Sequence, residues 1–125
     1  MKEFVLISAT LFGALSILLG AFGAHALKKV LTIELQSSFE IGIKYQMYHA
    51  IVLLLIGFEL EFNTSIEKYA AYCFIVGILL FSFSIYGLCI SSAKNKKLKF
   101  LGPITPLGGL FLTAGWILLL MSFLQ

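Results

Sequence analysis

Charged residues divide this chain into uncharged stretches, and that division limits its possible folds more than any other feature. Residues 4–27, 45–58, 69–93 and 100–125 contain no Asp, Glu, Lys or Arg. A helix needs about 20 mostly apolar residues to cross a bilayer, and a charge at its centre costs roughly 2.5–3.5 kcal/mol. Three of the four stretches are long enough to span a bilayer by themselves. The sequence therefore predicts one membrane domain made of helices.

The overall composition agrees with a membrane location and excludes some partners. Hydrophobic residues make up 60% of the chain and charged residues 12%, against about 45–50% and about 25% in soluble domains. All nine basic residues are lysine, and Arg is the residue on which base reading and phosphate clamping usually depend. We expect no nucleic-acid partner. Cys73 and Cys89 are interpreted as apolar packing residues, and we expect neither a metal site nor a cofactor.

The short stretch 45–58 gains its length from an amphipathic segment that precedes it. Apolar side chains recur every four residues across residues 28–44, at Leu31, Leu35, Phe39 and Ile43. Thr32 is a suitable N-cap for a helix that begins here. We therefore predict one long second helix, whose first turns form an amphipathic extension at the membrane interface.

The predicted architecture is an all-α bundle of four transmembrane helices, over about residues 4–27, 33–60, 68–93 and 106–124. Pro103 and Pro106 place irregular Gly/Pro backbone before the fourth helix, which is expected to start at Pro106 with Thr105 as its cap. Ala24-His25-Ala26 imitates a signal-peptide cleavage site, but the apolar run is too long for a signal peptide and further spans follow. A retained first helix is the favoured interpretation.

Lysine positions predict an orientation in the cell membrane. Seven of the nine lysines fall in loops 28–44 and 94–99, and basic connections face the cytoplasm. Both termini are then expected outside. Anionic lipid head groups are a candidate partner for the lysines of these loops, namely Lys28, Lys29, Lys94, Lys96, Lys97 and Lys99.

Polar residues in the predicted spans share one side of the membrane when the helices are laid out. The set comprises His25, Tyr45, Gln46, His49, Ser82, Tyr86 and Thr105. Such side chains face a bundle interior or a water-filled cavity. Two interpretations stay open: a polar ligand pocket in one leaflet, or hydrogen bonds between helices.

Small residues predict close helix packing. Ser16, Gly20 and Ala24 recur every four residues, a spacing that lets another backbone approach. The expected packing positions are Gly13, Ser16, Gly20, Gly23, Ala24, Gly108 and Gly109. Packing within the bundle is favoured over an interface in a homo-oligomer.

Three strings resemble one family. They are Gly20-Ala21-Phe22-Gly23-Ala24-His25, Tyr45-Gln46-Met47-Tyr48-His49, and Gly102 to Gly109 followed by Gly115-Trp116. The chain is similar, over nearly its whole length, to the small membrane proteins catalogued as domain of unknown function 423, also uncharacterised protein family 0382. The resemblance implies a multi-pass membrane protein and no established activity. Phe83 stands at a position where the pattern of the resembled family has a glycine. Close approach of another helix backbone at this position is therefore in doubt.

These observations favour a binding or assembly module, for which a membrane protein is a candidate partner, and the alternatives have weaker support. A small transporter or channel would have to use His25 and His49, because all six acids lie at or beyond predicted helix ends. Haem held by the same two histidines, or quinone binding, is a further alternative. The chain contains no Asp to orient a catalytic base, and no catalytic constellation is found. We expect it not to be an enzyme.

Overall fold

Four α-helices and a short 3-10 turn make up the fold in a computed structural model, which describes all residues from 1 to 125. The elements are α1 (Lys2–His25), α2 (Ile33–Glu59), α3 (Ser65–Ala93), the 3-10 turn (Lys99–Leu101) and α4 (Ile104–Phe123). All four helices are long and apolar enough to cross a membrane. The predicted all-α, four-span architecture is confirmed.

Successive helices run in opposite directions, so the two ends of the bundle carry different connections. We call the end with residues 26–32 and 94–103 the basic end, because most of the lysines lie there. We call the other end, with residues 60–64 and both termini, the acidic end. It carries Glu3, Glu59, Glu61 and Glu67.

Local sequence signals explain where α2 and α3 begin. The Thr32 hydroxyl accepts a hydrogen bond from the Leu35 backbone N–H at 3.2 Å, which confirms the expected cap. At the start of α3, Thr64 and Glu67 form a reciprocal capping box. That box starts α3 at Ser65 instead of residue 68, because an acid in the first turn favours the helix N-terminus.

The expectation for α4 was wrong in detail. Helix α4 begins at Ile104, and Pro103 occupies the N-cap position. Pro106 fits inside the first turn because the first four backbone N–H groups of a helix have no partner within it. Thr105 is therefore not a cap. Its hydroxyl instead forms a hydrogen bond with Ser84 on α3.

Buried apolar side chains form two clusters of unequal size. Fourteen buried residues cluster in the acidic half, including Phe12, Leu53 and Phe74. Only five cluster in the basic half, including Leu31 and Phe39 from the predicted amphipathic stripe. The core is therefore concentrated toward the acidic end.

Helices α3 and α4 meet along what we call the α3–α4 seam, where small residues oppose large ones. A Cβ placed on Gly77 would lie 2.6 Å from the side chain of Leu112, and one on Gly115 would lie 2.7 Å from the ring of Phe74. A Cβ on Gly108 would overlap the α3 backbone at Phe81. Glycine thus sets how closely these two helices approach.

The small residues of α1 differ in what they face, and Ala24 is exposed. A Cβ on Gly23 would lie 2.9 Å from the Phe39 ring of α2, and Gly20 faces Ile43. Ser16 is buried, and its hydroxyl donates to the Phe12 carbonyl. Gly13 faces open space.

Candidate functional site

Gln46 joins three helices in the middle of the bundle. Its side chain is fully buried. The Nε2 group donates to the Phe12 carbonyl of α1 at 2.9 Å, and the Oε1 atom accepts from the Tyr86 hydroxyl of α3 at 2.7 Å. The Gln46 side chain therefore fixes the position of α2 along the bundle axis relative to α1 and α3.

A second bond between α2 and α3 joins the residues one turn before Gln46 on α2 and one turn before Tyr86 on α3. The Ser82 hydroxyl donates to the Gly42 carbonyl at 2.7 Å. A Cβ on Gly42 would lie 2.7 Å from the Tyr86 ring, so the absence of a side chain there brings the two helices together. Phe83 packs edge-on against Phe12 of α1 and beside Tyr86, so the position that departs from the family pattern makes a side-chain contact.

His49 lies past the midpoint of α2, toward the acidic end. Its Nδ1 atom lies 2.7 Å from the Tyr45 carbonyl oxygen, and its Nε2 atom lies 3.1 Å from the Trp116 Nε1 of α4. The ring also packs against Phe74, in the first third of α3. The histidine thus belongs to a layer that joins α2, α3 and α4.

The structure distributes the predicted polar residues over separate hydrogen bonds between helices. Ser84 bonds to Thr105, Gln46 bonds to Tyr86, and His49 bonds to Trp116. Ser84 and Tyr86 lie in the half of α3 nearer the basic end, whereas Gln46 and His49 lie at and just past the midpoint of α2.

The two histidines do not meet. His25 is exposed at the end of α1, at the level where Gly23 faces Phe39. His49 lies ten residues beyond Phe39 on α2, about 15 Å further along the helix axis. Haem iron would need both imidazoles within bonding distance, so the structure does not support ligation by this pair.

Hydrogen bonding accounts for the buried polar groups. No buried side-chain nitrogen or oxygen lacks a partner. Polar groups deep in a membrane are stable when they bond to each other between helices. The interpretation as bonds between helices therefore describes Gln46, Ser82 and Tyr86.

Two grooves flank the first part of α2 at the basic end. The α1–α2 groove encloses about 440 Å³ and is lined in part by Lys28, Gln36, Glu40 and Lys44. The α2–α3 groove encloses about 560 Å³. Its lining residues are Leu35, Ser38, Ile41, Ile85, Leu88, Cys89, Ser92, Lys97, Lys99, Gly102 and Thr105. The predicted amphipathic extension of α2 therefore forms a wall of both grooves.

A third groove lies on the lipid-facing side between α2 and α4. This α2–α4 groove encloses about 300 Å³ and is lined by Tyr45, His49, Phe81, Gly109, Leu112, Thr113 and Trp116. Sequence reasoning missed Trp116 and the groove hydroxyls of Ser38 and Ser92 as site residues. Trp116 could have been noticed as the single tryptophan of the chain, whereas serines carry no such signal.

Comparison with known proteins gives a consistent result. Residues 19–109 match the family model described as protein of unknown function (DUF423). A UPF0382 membrane protein of Staphylococcus haemolyticus is 38% identical, covering 98% of this chain and 95% of its own length. A UPF0382 membrane protein of Schizosaccharomyces pombe is 35% identical, covering 90% of this chain and 95% of its own length.

A bacterial inner-membrane relative is similar over the same extent. The UPF0382 inner membrane protein YgdD of Escherichia coli K12 is 33% identical, covering 99% of this chain and 92% of its own length. No solved structure matches the chain at a significant level.

Proposed function

The chain belongs to the DUF423 family of multi-pass membrane proteins, also called UPF0382, and from that premise we propose that it is a binding module for an anionic lipid head group. The proposed site is the α2–α3 groove at the basic end. The supporting observation is that two lysines and three hydroxyl side chains border an apolar floor there.

The lining of the α2–α3 groove matches the two parts of a phospholipid. Lys97 and Lys99 supply positive charge at the rim, and Ser38 and Ser92 supply hydroxyl donors. A phosphate accepts bonds from both kinds of group. The Thr105 hydroxyl also lines the groove but donates to Ser84, whose own proton goes to the Phe81 carbonyl. The floor consists of aliphatic side chains of α2 and α3, against which an acyl chain can pack.

The α1–α2 groove suits an anion less well. It also holds two lysines, Lys28 and Lys44, but Glu40 lines the same groove. A carboxylate so close to the lysines offsets their attraction for a phosphate. The α2–α3 groove has no acidic lining residue, so we assign the head group to it.

Transport has less support from the geometry. Transport of protons or ions through a bundle uses ionisable groups within the membrane. The acids lie at or beyond the helix ends, apart from Glu34 and Glu40 in the extension of α2. His49 is held by two hydrogen bonds, and His25 lies at a different depth. The proposed role involves binding and no catalytic step.

Lipid retention by defined variants tests the proposal. Native mass spectrometry would follow delipidated protein in detergent after addition of phosphatidylglycerol or phosphatidylcholine. We expect phosphatidylglycerol to be retained preferentially. Taking about 1 kcal/mol per lysine, a Lys97→Ala/Lys99→Ala variant binds it roughly thirtyfold more weakly.

The matched control is a Lys94→Ala/Lys96→Ala variant, which removes the same charge from the same loop but outside the groove. It is expected to lose only the long-range attraction, which falls off within a Debye length. Equal losses in the two variants would contradict a groove site and indicate attraction by net charge. Glycerol phosphate, which lacks acyl chains, is expected not to displace the lipid.

We also propose that the basic end faces the cytoplasm of a bacterial cell and that both termini lie outside, in line with the lysine distribution. The test uses Lys96→Cys and Asn63→Cys in a Cys73→Ala/Cys89→Ser background, with a membrane-impermeant maleimide. Position 63 is expected to react on intact cells, and position 96 only after permeabilisation. The opposite pattern would overturn the orientation.

A further inference from the structure

The hydrogen bonds of His49 define its tautomer. A carbonyl oxygen only accepts, so Nδ1 must carry the proton that it donates to Tyr45. An indole N–H only donates, so Nε2 must accept from Trp116. The imidazole is therefore neutral, and its acceptor atom is directed at α4.

The acceptor atom of His49 borders the α2–α4 groove, which lies on the lipid-facing side. His49 itself is only 5% exposed, but Tyr45 and Trp116 beside it are 43% and 49% exposed. The groove is open on its lipid side and has a volume of about 300 Å³. One substituted aromatic ring can enter this groove sideways from the bilayer.

Trp116 illustrates the chemistry that this position accepts. Its indole is an aromatic ring with one polar donor, and that donor bonds to Nε2 of His49. The ring packs edge-on against His49 and Phe74, with centroid distances of 6.2 Å and 5.6 Å. The indole is half-exposed, so a turn toward lipid costs only its edge contacts with His49 and Phe74 and its bond to Nε2, and a ligand ring in its place can make the same contacts.

We propose that the α2–α4 groove binds a lipophilic hydroquinone, which replaces the Trp116 indole as the hydrogen-bond donor to His49. The hydroxyl of the ligand donates to Nε2, as the indole N–H does now. Its ring lies among Tyr45, Phe81 and the displaced Trp116, and its alkyl tail extends into the bilayer. A phenolic ring matches both the aromatic lining and the acceptor.

This site is independent of the lipid groove. The two grooves share no lining residue, and the His49 layer lies beyond Gln46 from the basic end. Failure of either proposal leaves the other unaffected.

Fluorescence of the single tryptophan reports directly on this position. Decylhydroquinone would be titrated into the protein in detergent, and its dimethyl ether, which has the same ring and tail but no hydroxyl donor, would serve as the control. We expect a saturable change in Trp116 emission with the hydroquinone and none beyond detergent partitioning with the ether. Equal responses to both compounds would overturn the proposal.

Two variants separate the roles of the residues, with binding measured by equilibrium dialysis. His49→Ala removes the acceptor, and it is expected to abolish the difference in affinity between the hydroquinone and its dimethyl ether. Trp116→Phe removes the competing donor and is expected to tighten binding. Weaker binding by Trp116→Phe would show that the indole belongs to the site instead of competing for it. If His49→Ala fails to fold, the ether comparison on the unaltered protein still decides the question.

Discussion

Toward the acidic end of the bundle, fourteen buried residues form one core, whereas toward the basic end only five cluster together. Phe62 closes the acidic end from the α2–α3 connection, where it is 2% exposed and adopts a positive φ of 56°. At the basic end, two grooves of about 440 and 560 Å³ remain between the helices. No comparable side chain fills them.

The difference indicates where a ligand can approach the protein. A positive φ is unfavourable for an aromatic residue, so burial of the Phe62 ring must outweigh that cost. The chain thus maintains a strained residue to close one end. At the other end, the amphipathic start of α2 stands between grooves that are accessible from the membrane surface.

The largest predicted effect comes from removing the side chain that closes the acidic end. Phe62→Ala is expected to lower the free energy of unfolding by about 3–5 kcal/mol, because it leaves a cavity in the larger core. Unfolding by SDS, followed by circular dichroism, measures it. Phe58→Ala, at a position that is 61% exposed to lipid, is the control and is expected to change little. Similar losses in both variants would show that the acidic end does not depend on Phe62.

The next effect concerns the α3–α4 seam. Gly108→Ala is expected to destabilise the bundle by about 1–3 kcal/mol, because the new methyl group would overlap the α3 backbone at Phe81. Gly109→Ala places its methyl 3.8 Å from the Phe81 ring and should be neutral or slightly stabilising. The same SDS titration compares them. Equal stability of the two variants would contradict the close approach at Gly108.

A smaller effect is expected where the packed half meets the grooved half. Gln46→Leu removes two bonds between helices and should cost about 1 kcal/mol, at roughly 0.6 kcal/mol each. Tyr86→Phe removes one of the same bonds. A double-mutant cycle should therefore give a coupling near the value of one bond, and strict additivity would show that the Gln46–Tyr86 bond adds nothing.

The smallest effect is expected from the ion pair at the acidic end. Lys2 Nζ lies 2.9 Å from Glu61 Oε1, but the two side chains are 37% and 71% exposed, so water screens the pair. Lys2→Ala should cost less than about 1 kcal/mol, and the loss should shrink as salt is added. Lys68→Ala, which removes an exposed lysine that has no ion-pair partner, is the comparison. A loss that does not depend on salt would indicate that Lys2 acts through packing.

The helices could be predicted from the sequence because charge placement and capping are local signals. The Thr32 cap and the stripe containing Phe39 were found in this way. The partners of Gln46 and His49 could not be predicted, because they depend on which residues of α1, α3 and α4 lie opposite α2. The same holds for Thr105, which was expected to cap α4 and instead bonds to Ser84 across the seam.

Glycine alternates between the two helices of the α3–α4 seam, opposite Phe74 at one layer and opposite Leu112 at the next. The two residues that face each other in each layer therefore share a nearly fixed volume. A larger residue at Gly115 meets only side-chain atoms of Phe74, so it is tolerable only when position 74 shrinks, and the two sites must change together as related sequences diverge. Paired substitutions among relatives should thus reveal which residues of α3 and α4 face each other, even without a structure.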